Sequence, residues 1–195
     1  AGDIAISNGV ISYTVLNSVF GNLSSALANM TWMGMNAYRL TGTTTTSGSS
    51  QKYVFDPGFG STNYFRLEMV SGNTTYQGIA GDSLTIGQSA GSGGEMLCSN
   101  TTARVTMPFI VNGKLRLVNS TLTITTNATV NGEVFIDLAN ASGSGPFLVA
   151  QKDLILGDSS TLRLSGAPVN GQVLMTYSGT RTGKFKVEGL PKDYT

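Results

Sequence analysis

The fold class is decided by the stretch Val111-Asn112-Gly113-Lys114-Leu115-Arg116-Leu117, because the same pattern returns twice further along the chain. The later copies are Val130-Asn131-Gly132-Glu133-Val134-Phe135-Ile136 and Val169-Asn170-Gly171-Gln172-Val173-Leu174-Met175. Their starts differ by 130 − 111 = 19 and 169 − 130 = 39 positions, which corresponds to one unit of about twenty residues and then two. Each copy is typical of a corner followed by a short strand. Asn-Gly is expected to supply the positive φ of a tight corner, and the alternating apolar residues after it predict one buried strand face.

A second repeat relates two longer segments, each of which contains two short apolar strands. Leu115-x-Leu117 with Ser120-Thr121-Leu122-Thr123-Ile124 resembles Leu154-x-Leu156 with Ser160-Thr161-Leu162-Arg163-Leu164, at offsets of 154 − 115 = 39 and 160 − 120 = 40. The added residue falls in Gly157-Asp158-Ser159, a turn composition, so the inward faces are expected to survive the insertion. Successive turns would stack strand on strand at roughly 4.8 Å and bury their inward residues in continuous ladders. The sequence therefore predicts an all-β, parallel β-solenoid (β-helix) of about twenty-residue turns.

One domain is predicted over residues 1–195, with a strand and cap region at 1–50 and solenoid turns at 51–195. Residues 4–16 are typical of strand, Asn-Gly turn and strand. Apolar residues at helical spacing then predict a short amphipathic capping helix over 18–30, with a further pair of strands as the alternative. An apolar group follows, which is interpreted as core at the capped end rather than a sugar-stacking platform: Trp32, Met33, Met35, Tyr38 and Leu40.

The composition indicates a structured chain with a polar surface of low charge. Charged residues make up 12% of the chain, the net charge is +1, and hydrophobic residues reach 40%. We therefore predict no nucleic-acid partner, and we interpret a basic group near the C-terminal end as the solvated face of a strand: Arg181, Lys184, Lys186 and Lys192. Seven Asn-x-Ser/Thr sequons occur, as expected by chance from so much Asn, Ser and Thr, at Asn22, Asn29, Asn73, Asn100, Asn119, Asn127 and Asn140.

Cysteine content and hydropathy favour a secreted chain. The single cysteine, Cys98, can form no intrachain disulfide and is interpreted as a buried structural thiol. No apolar run approaches the length of about eighteen residues that a membrane span needs. The sequence begins at Ala1-Gly2-Asp3 without an initiator Met, as is expected after removal of a signal peptide.

Catalytic chemistry is not predicted. The chain has no His, which removes the commonest general base and zinc ligand. A polysaccharide-degrading site would need acids on neighbouring turns, and the nearest candidates are interpreted as solvated corner residues: Glu133, Asp137, Asp153 and Asp158. Calcium-repeat, phosphate-loop and dinucleotide motifs are absent from the sequence. We expect no catalytic residue, no cofactor and no metal site.

Several short motifs carry a resemblance to a known family. The units Gly-x-Leu-x-Leu, Ser-Thr-Leu-x-Ile and Val-Asn-Gly precede Leu174-Met175-Thr176-Tyr177-Ser178-Gly179, Thr182-Gly183-Lys184-Phe185 and Gly189-Leu190-Pro191. Together they resemble passenger regions of bacterial autotransporters and the autotransporter-associated β-strand repeat proteins, best over residues 79–194. The resemblance implies a secreted β-helix on a bacterial surface, used in adhesion, matrix or fibre formation. The chain departs from the family in that no translocator β-barrel follows Thr195, which leaves a processed precursor or a different exported protein as explanations.

Two functions follow as hypotheses. The first is an extracellular structural protein that assembles head to tail with copies of itself by strand pairing, forming a surface fibre or matrix that is adhesive. The second is a carbohydrate-binding or polysaccharide-degrading β-helix, whose partners would be surface glycans. Exposed Tyr or Trp beside clustered acids would favour the second.

Overall fold

The computed structural model describes residues 2–7, 10–16, 19–20, 37–46, 52–56 and 65–190. Strands in these residues form three rows, in which neighbouring strands are hydrogen-bonded. Two long strands bend at a corner and contribute to two rows each, β7 (Phe65–Gln77) and β9 (Gly94–Val105).

The main row runs from one end of the protein to the other in the order β1-β2-β4-β7-β9-β11-β14-β17-β20. Its remaining members are β1 (Gly2–Ser7), β2 (Val10–Leu16), β4 (Ala37–Thr41), β11 (Lys114–Val118), β14 (Glu133–Asp137), β17 (Thr161–Ser165) and β20 (Lys186–Glu188). The second row adds β3 (Val19–Phe20), β5 (Thr43–Thr46), β12 (Thr121–Ile124), β15 (Leu148–Ala150) and β18 (Met175–Tyr177) to the distal halves of β7 and β9. The third row is β6 (Lys52–Phe55), β8 (Ser83–Ile86), β10 (Phe109–Val111), β13 (Ala128–Val130), β16 (Leu154–Leu156) and β19 (Arg181–Thr182).

All pairings are parallel within the described residues, except that β1 and β2 are antiparallel. From β4 onward the chain visits the main, second and third rows in the same order again and again. The prediction of an all-β fold with parallel sheets is confirmed. The predicted helix does not begin at residue 18, because Val19–Phe20 is a strand paired with β5. Residues 21–30 of the predicted helix lie outside the described residues. The part of the chain that the structure describes contains no helix.

The core consists of apolar residues stacked in columns across the rows. One column follows Leu67, Met96, Leu115, Val134 and Leu162, each paired with the next in register and buried. Period-two alternation produces this arrangement, since every second residue of a strand points to the same face. Strands such as β11 and β14 accordingly alternate between buried and half-buried residues. This confirms the predicted inward faces of the second repeat and of the first two copies of the opening pattern, but not of its third copy, in which Val173 is 47% exposed.

The repeat length is less regular than the sequence predicts. Register partners on the main row are Glu95, Lys114, Glu133, Thr161 and Lys186, which are separated by 19, 19, 28 and 25 residues. The added residues lie between rows, as in the segment 138–147 between β14 and β15. Because the strands themselves keep their length, insertions leave the inward faces unchanged. A spacing of nineteen residues therefore holds for only two steps.

The third copy of the opening pattern is not in register with the first two. Leu156, not a residue near Val169, pairs with Val130 on the third row. Val169 is instead 65% exposed in the segment between β17 and β18. The interpretation of 39 residues as two equal units was therefore wrong.

The second repeat also relates strands of different rows. Leu122 pairs with Leu148 on the second row, while Leu162 pairs with Val134 on the main row. The two Ser-Thr-Leu elements are thus similar strands at non-equivalent positions. Similar sequences arise because every row requires the same alternation of apolar and polar residues.

The Asn-Gly corners work by close packing rather than by positive φ. Gly113 and Gly132 are not among the glycines with positive φ, whereas Gly171 of the out-of-register copy is, at 77°. A Cβ on Gly132 would lie 2.1 Å from the carbonyl oxygen of Gly113, and a Cβ on Gly113 would lie 2.1 Å from that of Gly94. The expectation of positive φ was wrong at the two in-register copies. Gly94, Gly113 and Gly132 form a glycine column, in which only a hydrogen fits between stacked backbones.

Candidate functional site

The four acids considered for catalysis do not form one site. Glu133 and Asp137 occupy opposite ends of β14, while Asp153 precedes β16 on the third row and Asp158 lies in an exposed turn. Four residues along a strand correspond to about 13 Å, beyond the separation of paired catalytic carboxylates. Among the described residues, no group of three or more His, Cys, Asp or Glu side chains could hold a metal ion.

Local hydrogen bonds account for two of these acids. Asp137 accepts bonds from Ser165 Oγ at 2.6 Å and from Asn140 Nδ2 at 2.9 Å. The Ser165 bond is the main reason that the pKa of Asp137 is lowered, since it stabilises the charged form. Asp153 Oδ1 accepts bonds from the backbone N and Oγ1 of Thr180, and these lower its pKa as well. Both carboxylates therefore hold corners together.

Glu133 belongs to a band of alternating charges on the outer face of the main row. Lys114 Nζ lies 3.3 Å from Glu133 Oε1, and Arg163 Nη1 lies 3.7 Å from Glu133 Oε2. Arg163 also donates to Glu188 at 2.8 Å, and Arg116 stacks over the ring of Phe135 at 5.1 Å. Opposite charges in adjacent strands neutralise each other across the register. This band supports the strands and presents no unpaired cluster of one sign.

Glu95 is the most buried acid of the band, with 2% of its surface exposed. Its Oε1 lies 3.1 Å from Arg66 Nε and 3.9 Å from Arg116 Nη1. Burial raises the pKa of Glu95, an effect that the nearby cations Arg116 and Lys114 only partly offset. In the folded state the charged form is therefore less favourable than in water.

This shift predicts a pH-dependent contribution to stability. Because the pKa of Glu95 is raised above its ordinary value of 4.5, its favourable contribution is complete below pH 4.5 and is lost as pH rises through the folded-state pKa. We expect Glu95→Gln to gain stability relative to wild type as the pH rises from 4 to 7, measured by urea denaturation at each pH. A difference that is constant or shrinks with pH would mean that the ion pairs outweigh burial.

The 19-residue offset predicts that Asn112 and Asn131 stack at one corner on adjacent turns, above Leu115 and Val134, and this prediction is confirmed. Asn131 Nδ2 donates to Asn112 Oδ1 at 2.8 Å, and Asn112 Nδ2 donates to the carbonyl of Gly87 at 3.0 Å. Beneath them, Leu115 pairs with Val134 in register. The corner is thus an amide ladder that continues across adjacent strands.

A second amide ladder lies at the corner between the main and second rows. Asn119 Nδ2 donates to Asn100 Oδ1 at 2.9 Å, and Asn119 Oδ1 accepts bonds from the backbone N and Oγ of Ser142. Asn100 and Asn119 have φ of 50° and 45°, which Asn tolerates better than most residues. This ladder was not predicted from the sequence. The sequence nevertheless contains a pattern that could have predicted it, because Asn100 and Asn119 are also nineteen residues apart.

An open groove of about 450 Å³ runs along this ladder, and we call it the corner groove. It is lined by Gly72, Asn73, Asn100, Thr101, Thr102, Asn119, Ser120, Thr121, Ser142, Gly143, Gly145 and Phe147. None of these residues carries a charge. A groove at the Asn112–Asn131 corner is lined instead by charged residues, including Lys114, Glu133, Arg163 and Glu188. Of these two grooves, the corner groove has the uncharged lining that suits a neutral ligand.

The remaining sequence predictions concern single residues. Cys98 is buried, as predicted, and burial raises the pKa of its thiol. Leu40 is a buried core residue, while Trp32, Met33 and Met35 lie outside the described residues. No helix within the described part of the chain is long and apolar enough to cross a membrane.

Comparisons with known proteins gave no match to this chain, either among protein-family models, among curated proteins or among solved structures.

Proposed function

We propose that the chain is a parallel β-solenoid with a structural role, adding to copies of itself end to end in an extracellular fibre or matrix. The recurrent order of the three rows supports the solenoid, because each passage stacks in parallel on the one before. The low charge supports assembly, since close copies would repel each other little. The resemblance to autotransporter passengers favours the outer surface of a bacterium, which protease treatment of intact cells would test.

The observation that carries this proposal is a core that opens toward the β20 end. The column that is fully buried at Leu115 and Val134 is 7% exposed at Leu162 and 44% exposed at Val187, its last member. On the second row, Tyr177 is 46% exposed although its partner Ala150 is fully buried. Among the residues that the structure describes, no further layer of strands covers these inward-facing apolar positions.

The strand edges at this end are open in the same way. Within the described residues β18, β19 and β20 pair on one side only. An unpaired edge presents a row of free backbone donors and acceptors, which favours pairing with another strand. In the described part of the chain, unpaired backbone groups and exposed apolar side chains thus occur at the same place.

The partner that best fits this edge is β1 of a second copy. β1 and β20 are the two outermost strands of the same row, so a second copy placed with its β1 beside β20 would continue the main row. In the sequence of β1, Gly2-Asp3-Ile4-Ala5-Ile6-Ser7, a period of two puts Ile4 and Ile6 on one face and Asp3, Ala5 and Ser7 on the other, as is typical of a strand with one apolar face. Repetition of a contact between two different surfaces makes a filament when the rotation between copies does not close a ring, and continuation of the main row from copy to copy favours the open filament.

The edge proposal predicts that Val187→Asp prevents assembly. A carboxylate at the centre of the junction would lose its hydration on pairing, at a cost of several kcal/mol. In the single copy this side chain is already partly exposed, so the fold should be retained. We expect fibres of the wild type and monomers of the variant in electron micrographs and light scattering. Val169→Asp is the matched control, because Val169 is exposed in a segment outside the rows.

Mixing the proteins tests the polarity of the contact. A Val187→Asp copy would still dock through its β1 onto a wild-type β20 edge, after which no copy could follow. Small amounts of the variant should therefore shorten wild-type fibres. Wild-type protein that remains monomeric at high concentration, or variant fibres equal to those of the wild type, would contradict the proposal.

A further inference from the structure

The corner groove has an extended shape set by the stacking of strands. Its floor is formed by residues of three successive layers, namely Asn73 on β7, Thr102 on β9 and Thr121 on β12, which are register neighbours. Neighbouring strands are about 4.8 Å apart, so these layers with the wall at Ser142 and Gly143 span about 10–15 Å. A ligand in the groove would therefore lie along the stacking direction.

The chemistry of the groove is dense in neutral donors and acceptors. Within the lining, Thr101 Oγ1 donates to the carbonyl of Gly72 at 2.9 Å, and Thr101 N donates to Ser120 Oγ at 3.2 Å. These hydrogen bonds join neighbouring layers and fix the shape of the groove. At the surface, the Asn119 amide is held between Ser142 and Asn100, while the Nδ2 of Asn100 makes only a 3.4 Å contact to Ser99 Oγ. The amide ladder thus ends at Asn100, whose Nδ2 donates one long hydrogen bond and lies at the groove surface.

We propose that the corner groove binds an extended, neutral saccharide of two to three sugar units. A saccharide presents hydroxyl groups that both donate and accept, which matches amide and hydroxyl side chains better than charged ones. The spacing of the strand layers, about 4.8 Å, is close to the length of one pyranose unit, so each successive sugar would meet the polar side chain of the next layer. Sites of this kind fix a ligand through a few placed polar groups.

An extended peptide fits the groove less well. Peptides in extended conformation bind most readily by adding a strand to an open sheet edge. In the corner groove β9 is paired on both sides, with β7 and with β11 and β12. The backbone groups that a peptide would need are therefore already used. This inference does not rest on fibre formation, since the groove belongs to a single copy.

The test is a titration of the full chain with defined oligosaccharides. Binding is measured by calorimetry and by changes in amide NMR chemical shifts. Cellohexaose and mannohexaose are the neutral probes, and a galacturonic-acid hexamer is the charged comparison. We expect at least one neutral probe to bind with a Kd on the order of 1 mM or tighter, with shifts concentrated at Asn73, Asn100 and Thr102. The acidic hexamer should bind more weakly than that neutral probe.

Two variants tie binding to the groove. Gly143→Phe adds an aromatic ring at the wall of the groove, where a Cβ meets nothing within 4 Å, and we expect affinity to fall about tenfold or more. Thr102→Val removes one hydroxyl at constant shape, which should weaken binding roughly two- to tenfold. Asn170→Phe adds the same bulk at an exposed position that does not line the groove, and should bind like wild type.

Three results would overturn the proposal. These are an absence of binding by both neutral probes at about 10 mM, equal affinity of wild type and Gly143→Phe, and tighter binding of a Ser/Thr-rich peptide at the same groove residues.

Discussion

Leu122→Asp is expected to leave the protein unfolded at room temperature. Leu122 is fully buried on β12, between Ala103 of β9 and Leu148 of β15, which are buried as well. A carboxylate at this position would have neither water nor a cation beside it, at a cost of several kcal/mol. That cost is a large part of the roughly 5–15 kcal/mol by which domains are stable. Circular dichroism and urea denaturation would measure the loss.

Leu162→Asp is expected to be the milder of the two core variants. Leu162 is the 7% exposed member of its column, near the open end, so its carboxylate would reach water more easily. The order of the two variants therefore tests whether the core opens toward β20.

The matched controls are Lys114→Ser and Arg163→Ser. Both side chains lie on the outer face and are about half exposed, at 41% and 47%, and each pairs with Glu133. Exposed ion pairs contribute at most about 1 kcal/mol, so we expect changes of about 0.5 kcal/mol for each control. Equal losses of stability in the core and outer variants would contradict the assignment of inward and outward faces.

Gly132→Ala is the second substitution with a large expected effect. The new Cβ would lie 2.1 Å from the carbonyl oxygen of Gly113 and 2.4 Å from that of Asn112. Both obstacles are backbone atoms of the neighbouring strand layer, so no side-chain rotation can relieve the overlap. The layers would have to separate, which would also strain the bond between Asn131 and Asn112. We expect a loss of at least about 2 kcal/mol, seen as a fall in Tm of roughly 5–10 °C.

Gly143→Ala is the control for the alanine substitution. Its Cβ would meet nothing within 4 Å, and Gly143 is not among the residues with positive φ. The same chemical change should therefore leave Tm within about 1–2 °C of wild type. A small effect at Gly132 would mean that the glycine column is spaced more widely than the structure shows.

At the candidate sites, the sequence predicted which side chains lie together only where successive turns have the same number of residues. The 19-residue offset placed Asn112 beside Asn131, and the structure joins their side chains at 2.8 Å. The same offset relates Asn100 and Asn119, but these positions stood out only as sequons. The wall of the corner groove was beyond prediction, because Ser142 comes from an insertion whose course depends on the strands that it crosses.

The sequence by itself determined the strands and their inward faces. Alternation of apolar and polar residues is a local property with period two, so it can be read from Leu115-x-Leu117 or Val134-x-Ile136 without knowledge of any partner. The sequence also determined the register of β11 against β14, because no residue is inserted between the two copies.

Only the tertiary structure decided which row each strand joins and why the corners need glycine. Strands with the same apolar and polar pattern cannot be assigned to a row from their sequence alone. Successive main-row partners are 28 and then 25 residues apart, so later copies of a sequence motif fall in other rows. The need for Gly132 likewise comes from Gly113, on the neighbouring strand layer. Backbone pairing between residues distant in sequence sets both features. No property of a single strand contains that information.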